Sequence, residues 1–255
     1  MLGRILKALA VGMTTLALCA CGGGGGGLSP AIGNAPPGGI WQGTDPLTNL
    51  ALYGIVSEAG AFNFLRSDGA QYFGTLTTSR NNLSGTFTGV PPIGKTFSDG
   101  STYGAGTLSG TIQARTTISA TYNFTTAKGR NSSASGSLTF NSLYFSQSSL
   151  PTIAGNYSDS YGNSVINLTS SGVVFDQQLT TGCVINGQIS IINSAYDAYQ
   201  VQYTFSSCLG SYAVLNGTTA TGLAAVDTTA NPVVAYVGVA NDTVPYALNA
   251  EYTKQ

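Results

Sequence analysis

The sequence predicts an all-β protein of two similar small antiparallel β-barrel or sandwich domains in tandem, and three observations carry that expectation. From Gly39 onward no 3.6-residue apolar period is sustained, whereas short runs alternate apolar and polar residues and are rich in β-branched and aromatic side chains. Gly, Asn, Asp and Ser separate those runs at turn spacing, in a chain with 34 glycines among 255 residues. The pattern of the first half also returns in the second. Gly39-Ile40-Trp41 and Gly155-Asn156-Tyr157 each open a half, 116 positions apart; Gly60 and Gly172 differ by 112, and Gly69 and Gly74 match Gly182 and Gly187 at 113. A single continuous sandwich or β-solenoid is the competing organisation.

Taken in order, residues 1–20 read as a secretory signal. Arg4 and Lys7 supply the positive start, and an apolar stretch runs from Ala8 to Leu18. It is too short for a comfortable membrane span, which takes about 20 apolar residues. Leu18-Cys19-Ala20-Cys21 then resembles the lipobox of bacterial lipoproteins. The resemblance implies cleavage before Cys21, a diacylglycerol on the Cys21 thiol, and a permanent lipid anchor in the bacterial outer membrane, since no Asp follows the cysteine. Residues 21–38, with Gly22 to Gly27 at their head, read as a flexible Gly-rich tether.

The first domain, 39–148, offers strands at 50–57, 61–66, 71–78, 83–89, 104–113, 116–125 and 135–145. The second, 149–255, offers strands at 153–158, 165–169, 173–178, 184–192, 198–206, 212–226, 233–240 and 245–253, with Leu150-Pro151 interrupting the pattern between domains. So many short antiparallel strands in a small domain must close or stack to hide their edges. Gly39-Ile40-Trp41 resembles the G-x-W opening of lipocalin-like barrels, which implies a calycin-like shape with the aromatic closing one end.

In an oxidising compartment Cys183 and Cys208 should form a disulfide across the base of one hairpin. Their positions sum to an odd number, which would oppose odd residues to even ones. Ile185, Ile189 and Ile191 would then point away from the face of Tyr199, Val201, Tyr203 and Phe205. A β-bulge at Gly187 or at Ser206-Ser207 resolves that conflict.

Composition narrows function. With 7% charged residues and net charge -1 the chain lacks a basic patch, so no nucleic-acid partner is expected. With no histidine it has no imidazole base, no His metal site and no Ser-His triad. Its ten acids are spread thinly, several of them beside Gly, Ser or Asn in expected turns, and no pair is selected by spacing, so no catalytic residue, metal or cofactor is expected. The expected role is a non-catalytic interaction or structural module of the cell envelope. It would meet the membrane through Cys21 and an envelope or extracellular partner through its Ser/Thr/Asn-rich strands and loops. The alternative is a lipocalin-like lipoprotein holding a small apolar ligand inside a barrel.

Overall fold

The computed structural model describes residues 33–92, 94–159, 164–179, 181–241 and 246–255. The expected signal peptide, Cys21 and most of the expected tether lie outside the described residues. The first barrel closes β1 (Gly39–Thr44), β2 (Ala51–Val56), β3 (Ala61–Arg66), β4 (Gln71–Ser79), β5 (Asn82–Val90), β6 (Gly104–Gln113), β7 (Thr117–Thr126) and β8 (Asn131–Asn141) in sequence order. The second closes β9 (Gly155–Asp159), β10 (Val165–Leu168), β11 (Val173–Gln177), β12 (Val184–Ile191), β13 (Tyr199–Ser206), β14 (Thr219–Asp227), β15 (Val234–Asn241) and β16 (Tyr246–Lys254) in the same order. Every pairing is antiparallel, so each is a closed up-and-down barrel.

The glycines singled out by spacing occupy matching places. Gly60 (φ +90°) and Gly172 (φ +85°) each make the turn before a strand, a conformation that side chains disfavour. A Cβ on Gly60 would lie 2.1 Å from the Leu76 carbonyl oxygen, and one on Gly172 2.2 Å from that of Ile189. Gly74 stands opposite Phe87 and Gly187 opposite Tyr203, so a small residue makes way for a ring in both barrels. The opening aromatics also match. The Trp41 indole N–H donates to the Pro37 carbonyl (3.2 Å) and the Tyr157 hydroxyl to that of Ile153 (2.6 Å), each four residues upstream.

Three strand expectations need correction. Gly39–Thr44 is a full strand, β1, although its sequence GIWQGT holds two glycines and little alternation; pairing with β2 and β8 supplies what propensity lacks. The run expected at 135–145 begins at Asn131 and ends at Asn141, whose side chain accepts from the Leu143 N–H and starts a 3-10 turn over Ser142–Phe145. The run expected at 212–226 is a 3-10 turn over Gly210–Leu215 followed by β14 from Thr219, broken at Asn216-Gly217, where Gly217 takes φ +79°. At the far end of the expected tether, Ala35 donates its N–H to the Arg80 carbonyl and is buried, so residues there pack on the first barrel.

Cys183 and Cys208 are joined. Strands β12 and β13 pair without interruption from Val184↔Ser206 to Ile191↔Tyr199, so odd faces odd and Ile185 and Ile189 share the interior with Val201, Tyr203 and Phe205. Ser207 is the extra residue that reconciles this register with the cysteine pair, and it takes φ +58°. The strand at Gly187 is regular.

The barrels share one core as well as having their own. Outward-facing Ile40 and Ile55 of the first barrel bury against Ala198, Leu223 and Ala225 of the second, with Tyr144 of the connecting turn. The Tyr53 and Tyr236 rings stack across the junction at 4.0 Å, and Leu65 fits over Gly238, where a Cβ would lie 2.5 Å from it. Residues 33–255 therefore form one compact unit. The Cys183–Cys208 link closes a 25-residue separation, and Cys183→Ala/Cys208→Ala should lose about 3 kcal/mol of unfolding free energy. Urea titration should show that loss as one earlier transition for the whole chain; a second transition left at the wild-type midpoint would mean the barrels unfold independently.

Candidate functional site

The inner face of the first barrel alternates rings with glycines, which leaves space that the second barrel does not have. Gly54 faces Phe64 so closely that a Cβ there would overlap the ring, and Gly106 does the same for Phe87. Phe87 stacks on Phe124 at 5.9 Å, and Tyr72 meets Phe87 edge-on at 5.9 Å. Between these rings and Leu52, Leu108 and Leu138 remains an apolar cavity of about 100 Å³. The corresponding space of the second barrel, among Tyr157, Tyr199, Tyr203 and Tyr252, is about 20 Å³, little more than the roughly 10 to 15 Å³ that one water needs. Trp41 and Tyr157 are packed core residues, buried and hydrogen-bonded to backbone.

One end of the cavity is covered by a polar cluster. Asp45, in the β1–β2 turn, is 2% exposed and accepts four hydrogen bonds. Arg66 Nη1 (2.7 Å) and the Tyr72 hydroxyl (3.2 Å) reach Oδ2, while the Leu47 N–H (2.9 Å) and the Tyr122 hydroxyl (3.2 Å) reach Oδ1. Arg66 also forks onto Asp68 through Nε (2.8 Å) and Nη2 (2.9 Å). Burial alone would raise the Asp45 pKa; the Arg66 and Leu47 hydrogen bonds and the Arg66 charge outweigh it and hold the carboxyl below its ordinary range. Burial, with the nearby Asp45 charge, pushes the Tyr72 and Tyr122 hydroxyls well above theirs.

Other acids are likewise engaged. Glu58 pairs with Arg115 and accepts from the Tyr144 hydroxyl (2.8 Å), and the Arg115 guanidinium lies 4.8 Å from the Tyr144 ring centre and 5.3 Å from that of Tyr196. Asp227 accepts from the Thr229 and Ala230 N–H groups. Asp176, fully buried in the second barrel, accepts from the Ser164 hydroxyl (2.7 Å), and burial raises its pKa. Asp197 sits at the junction of the barrels and accepts from the Val226 N–H with both oxygens (3.2 and 3.0 Å). Burial pushes it up to about 7.

Of the residues named from sequence, Cys183 and Cys208 are brought together, and Cys21 lies outside the described residues. The Asp45–Arg66–Tyr72–Tyr122 cluster had no local signal, because its members stand 21, 27 and 77 positions from Asp45 and only barrel closure gathers them. Among the described residues no group of His, Cys, Asp or Glu is arranged to hold a metal ion. No family model matches the chain, and no curated protein matches it. Among solved structures, Aeromonas veronii immune modulator A is similar at TM-score 0.39 and 13% identity, over 87% of this chain and 96% of that one. So distant a likeness says nothing about activity.

Proposed function

We propose that the chain is a lipid-anchored, non-catalytic interaction module of the bacterial envelope, held in the outer membrane through Cys21. The observation that carries this reading is the engagement of the buried acids. Asp45 and Asp197 spend both carboxyl oxygens on structural partners, Asp176 accepts from the Ser164 hydroxyl through Oδ2 while its Oδ1 has no hydrogen-bond partner among the described residues, and the two interiors otherwise hold mainly rings and aliphatic side chains. That leaves the outer walls and loops to meet a partner, and the lipobox resemblance at Leu18-Cys19-Ala20-Cys21 supplies the anchor. Cys21→Ser should abolish palmitate incorporation and move the protein out of the membrane fraction; palmitate label persisting on that variant would refute the anchor.

A second reading, a small apolar ligand inside the first barrel, is favoured by the cavity between Phe64, Phe87 and Leu138. At about 100 Å³ it falls short of the roughly 300 to 1,000 Å³ of ordinary ligand pockets and suits only a molecule of a few heavy atoms. Native mass spectrometry of the same purified sample decides between the two, since a retained small molecule belongs only to the second.

A further inference from the structure

The seam that closes the first barrel is short. Gly43↔Leu138 is the last pair between β1 and β8, and β1 ends at Thr44, whereas β8 begins at Asn131. Residues 131–137 of β8 therefore have a strand on one side alone, β7. The ladder fixes where their backbone groups point. The Phe140 N–H donates to the Thr116 carbonyl and the Thr126 N–H to that of Arg130, so even positions turn to β7 and odd positions turn away. Ser133 and Ser135, both exposed, each hold out an N–H and a C=O with no backbone partner among the described residues. The β1–β2 turn does not take over, because its Leu47, Thr48 and Asn49 N–H groups bond back to Asp45. Pro46, which has no N–H, lies beside Gly136, 3.4 Å from where a Cβ would stand. Proteins ordinarily shield such an edge with a charge, a proline, a bulge or a covering loop. The segment 131–137, NSSASGS, has no charge and no proline, and its register with β7 is regular.

Two further observations say what fits beside this edge. The apolar cavity reaches it, since Pro46, Gly136 and Ser137 line that cavity together with Ala120, Tyr122 and Leu138. Opposed residues of a strand pair share a face, so a strand added to β8 would send the residue opposite Ala134 inward, beside Gly136. Removing one leucine from a protein core leaves about 150 Å³. A cavity of about 100 Å³ therefore takes one aliphatic side chain. A second copy of this chain, pairing through its own β8, would offer only Ser132, Ala134 and Gly136, too small to fill it. The second barrel has no such pocket: β16 outruns β9, yet the space inside is about 20 Å³. Charge then sets the direction of the guest. Lys128 and Arg130, in the β7–β8 turn where the edge begins, are exposed and in no ion pair among the described residues. A guest antiparallel to β8 runs toward them, so an acid four residues after its inward apolar residue would come opposite Arg130.

We propose that the β8 edge and the cavity beside it form a docking site for an extended peptide segment of a partner protein. The segment adds as a strand antiparallel to β8, seats one leucine-sized side chain in the cavity, and sets a carboxylate near Lys128 and Arg130. The proposal rests on the interaction-module reading above and gives that module its partner class. It is tested with the purified full-length chain and a fluorescent, end-blocked peptide of sequence TTLTSTE, by anisotropy. Replacing the peptide's leucine with glycine should weaken binding about tenfold or more. Replacing its glutamate with lysine should weaken it several-fold. N-methylation of the two threonines that flank the leucine, which would face Ser135 and Ser133, should abolish binding. N-methylation of the leucine itself should preserve it, because that N–H faces away from β8. On the protein, Ser133→Pro, Gly136→Leu and Arg130→Glu should each weaken binding, and Gln188→Lys on the second barrel should not, with melting temperatures showing which variants fold. The methylated peptides decide the matter on wild-type protein even where a variant fails to fold. No binding of the parent peptide overturns the proposal, as does equal binding of the glycine peptide or equal loss on methylating the leucine. A chain that self-associates through β8, with no competition from the peptide, overturns it in favour of a second copy. Palmitate incorporation at Cys21 is read separately, so failure of peptide binding and failure of the anchor remain distinct results.

Discussion

Asp197→Asn should remove about 4 kcal/mol of pH dependence from the stability of the chain between pH 4 and pH 8, a figure that follows from the following linkage. In the folded protein burial at the barrel junction raises the Asp197 pKa from 3.8 to about 7. The native state therefore keeps a proton that the unfolded chain has released. Stability from this group is intact below the unfolded value, falls as pH rises between the two values, and is fully lost above the folded one. The surroundings explain the lack of compensation. Its partner is a single backbone N–H, that of Val226; Asp227 nearby is acidic, and the stacked Tyr53 and Tyr236 rings bring no positive charge. Asparagine keeps an acceptor for Val226 but cannot ionise. Its amide brings donors that need partners, a penalty that applies equally at all pH values and cancels from the slope. Urea titrations of both proteins across that pH range should give a wild-type stability that falls faster with pH than the variant's. Parallel curves would show that Asp197 is solvated at the junction.

The same junction shows which parts of the fold were legible. Strands facing the core on one side and water on the other, such as β6 and β7, announce themselves by alternation, and the sequence-based limits of β6 match the structure at both ends. Strands buried on both faces do not. In β2, ALYGIV, Leu52 and Val56 face the barrel while Tyr53 and Ile55 face the second barrel, so the run reads as uniformly apolar and gives no hint of the docking. The disulfide was legible because the two cysteines lie symmetrically about one hairpin turn, and the bulge because a register conflict demanded one. Which of its two places the chain uses depends on Ser207 adopting a left-handed backbone, a choice made by packing near Asn216, whose side chain bonds both the N–H and the carbonyl of Cys208. The long false strand through Tyr212 and Val214 arose from alternation continuing through a 3-10 turn. The polar cluster over the first cavity was invisible for a topological reason. Asp45 and Tyr122 meet only because barrel closure brings the β1–β2 turn within reach of a side chain midway along β7.

That cluster predicts the other large effect. Arg66→Ala should destabilise the chain by about 3 to 5 kcal/mol at neutral pH, because it strands a buried carboxylate. Arg66 is 11% exposed at its side chain and Asp45 2%, so water cannot readily take the guanidinium's place. The Tyr72 hydroxyl, which accepts from Arg66 Nη1 at 2.9 Å and reaches Asp45 Oδ2, would lose its donor as well. The sign of the acid response should also reverse. In the wild type the Asp45 pKa lies below its ordinary value, so its contribution is present above that value and fades as pH falls through the folded one. Without Arg66 burial dominates and raises the pKa, so acid should relieve the variant over a range where it weakens the wild type. Asp45→Asn in the Arg66→Ala background should recover much of the loss, since it removes the orphaned charge and keeps an acceptor for the Leu47 N–H and the Tyr122 hydroxyl. Additive losses for the two substitutions in a double-mutant cycle, with no change in acid response, would mean that Asp45 is hydrated and that the cluster contributes packing alone.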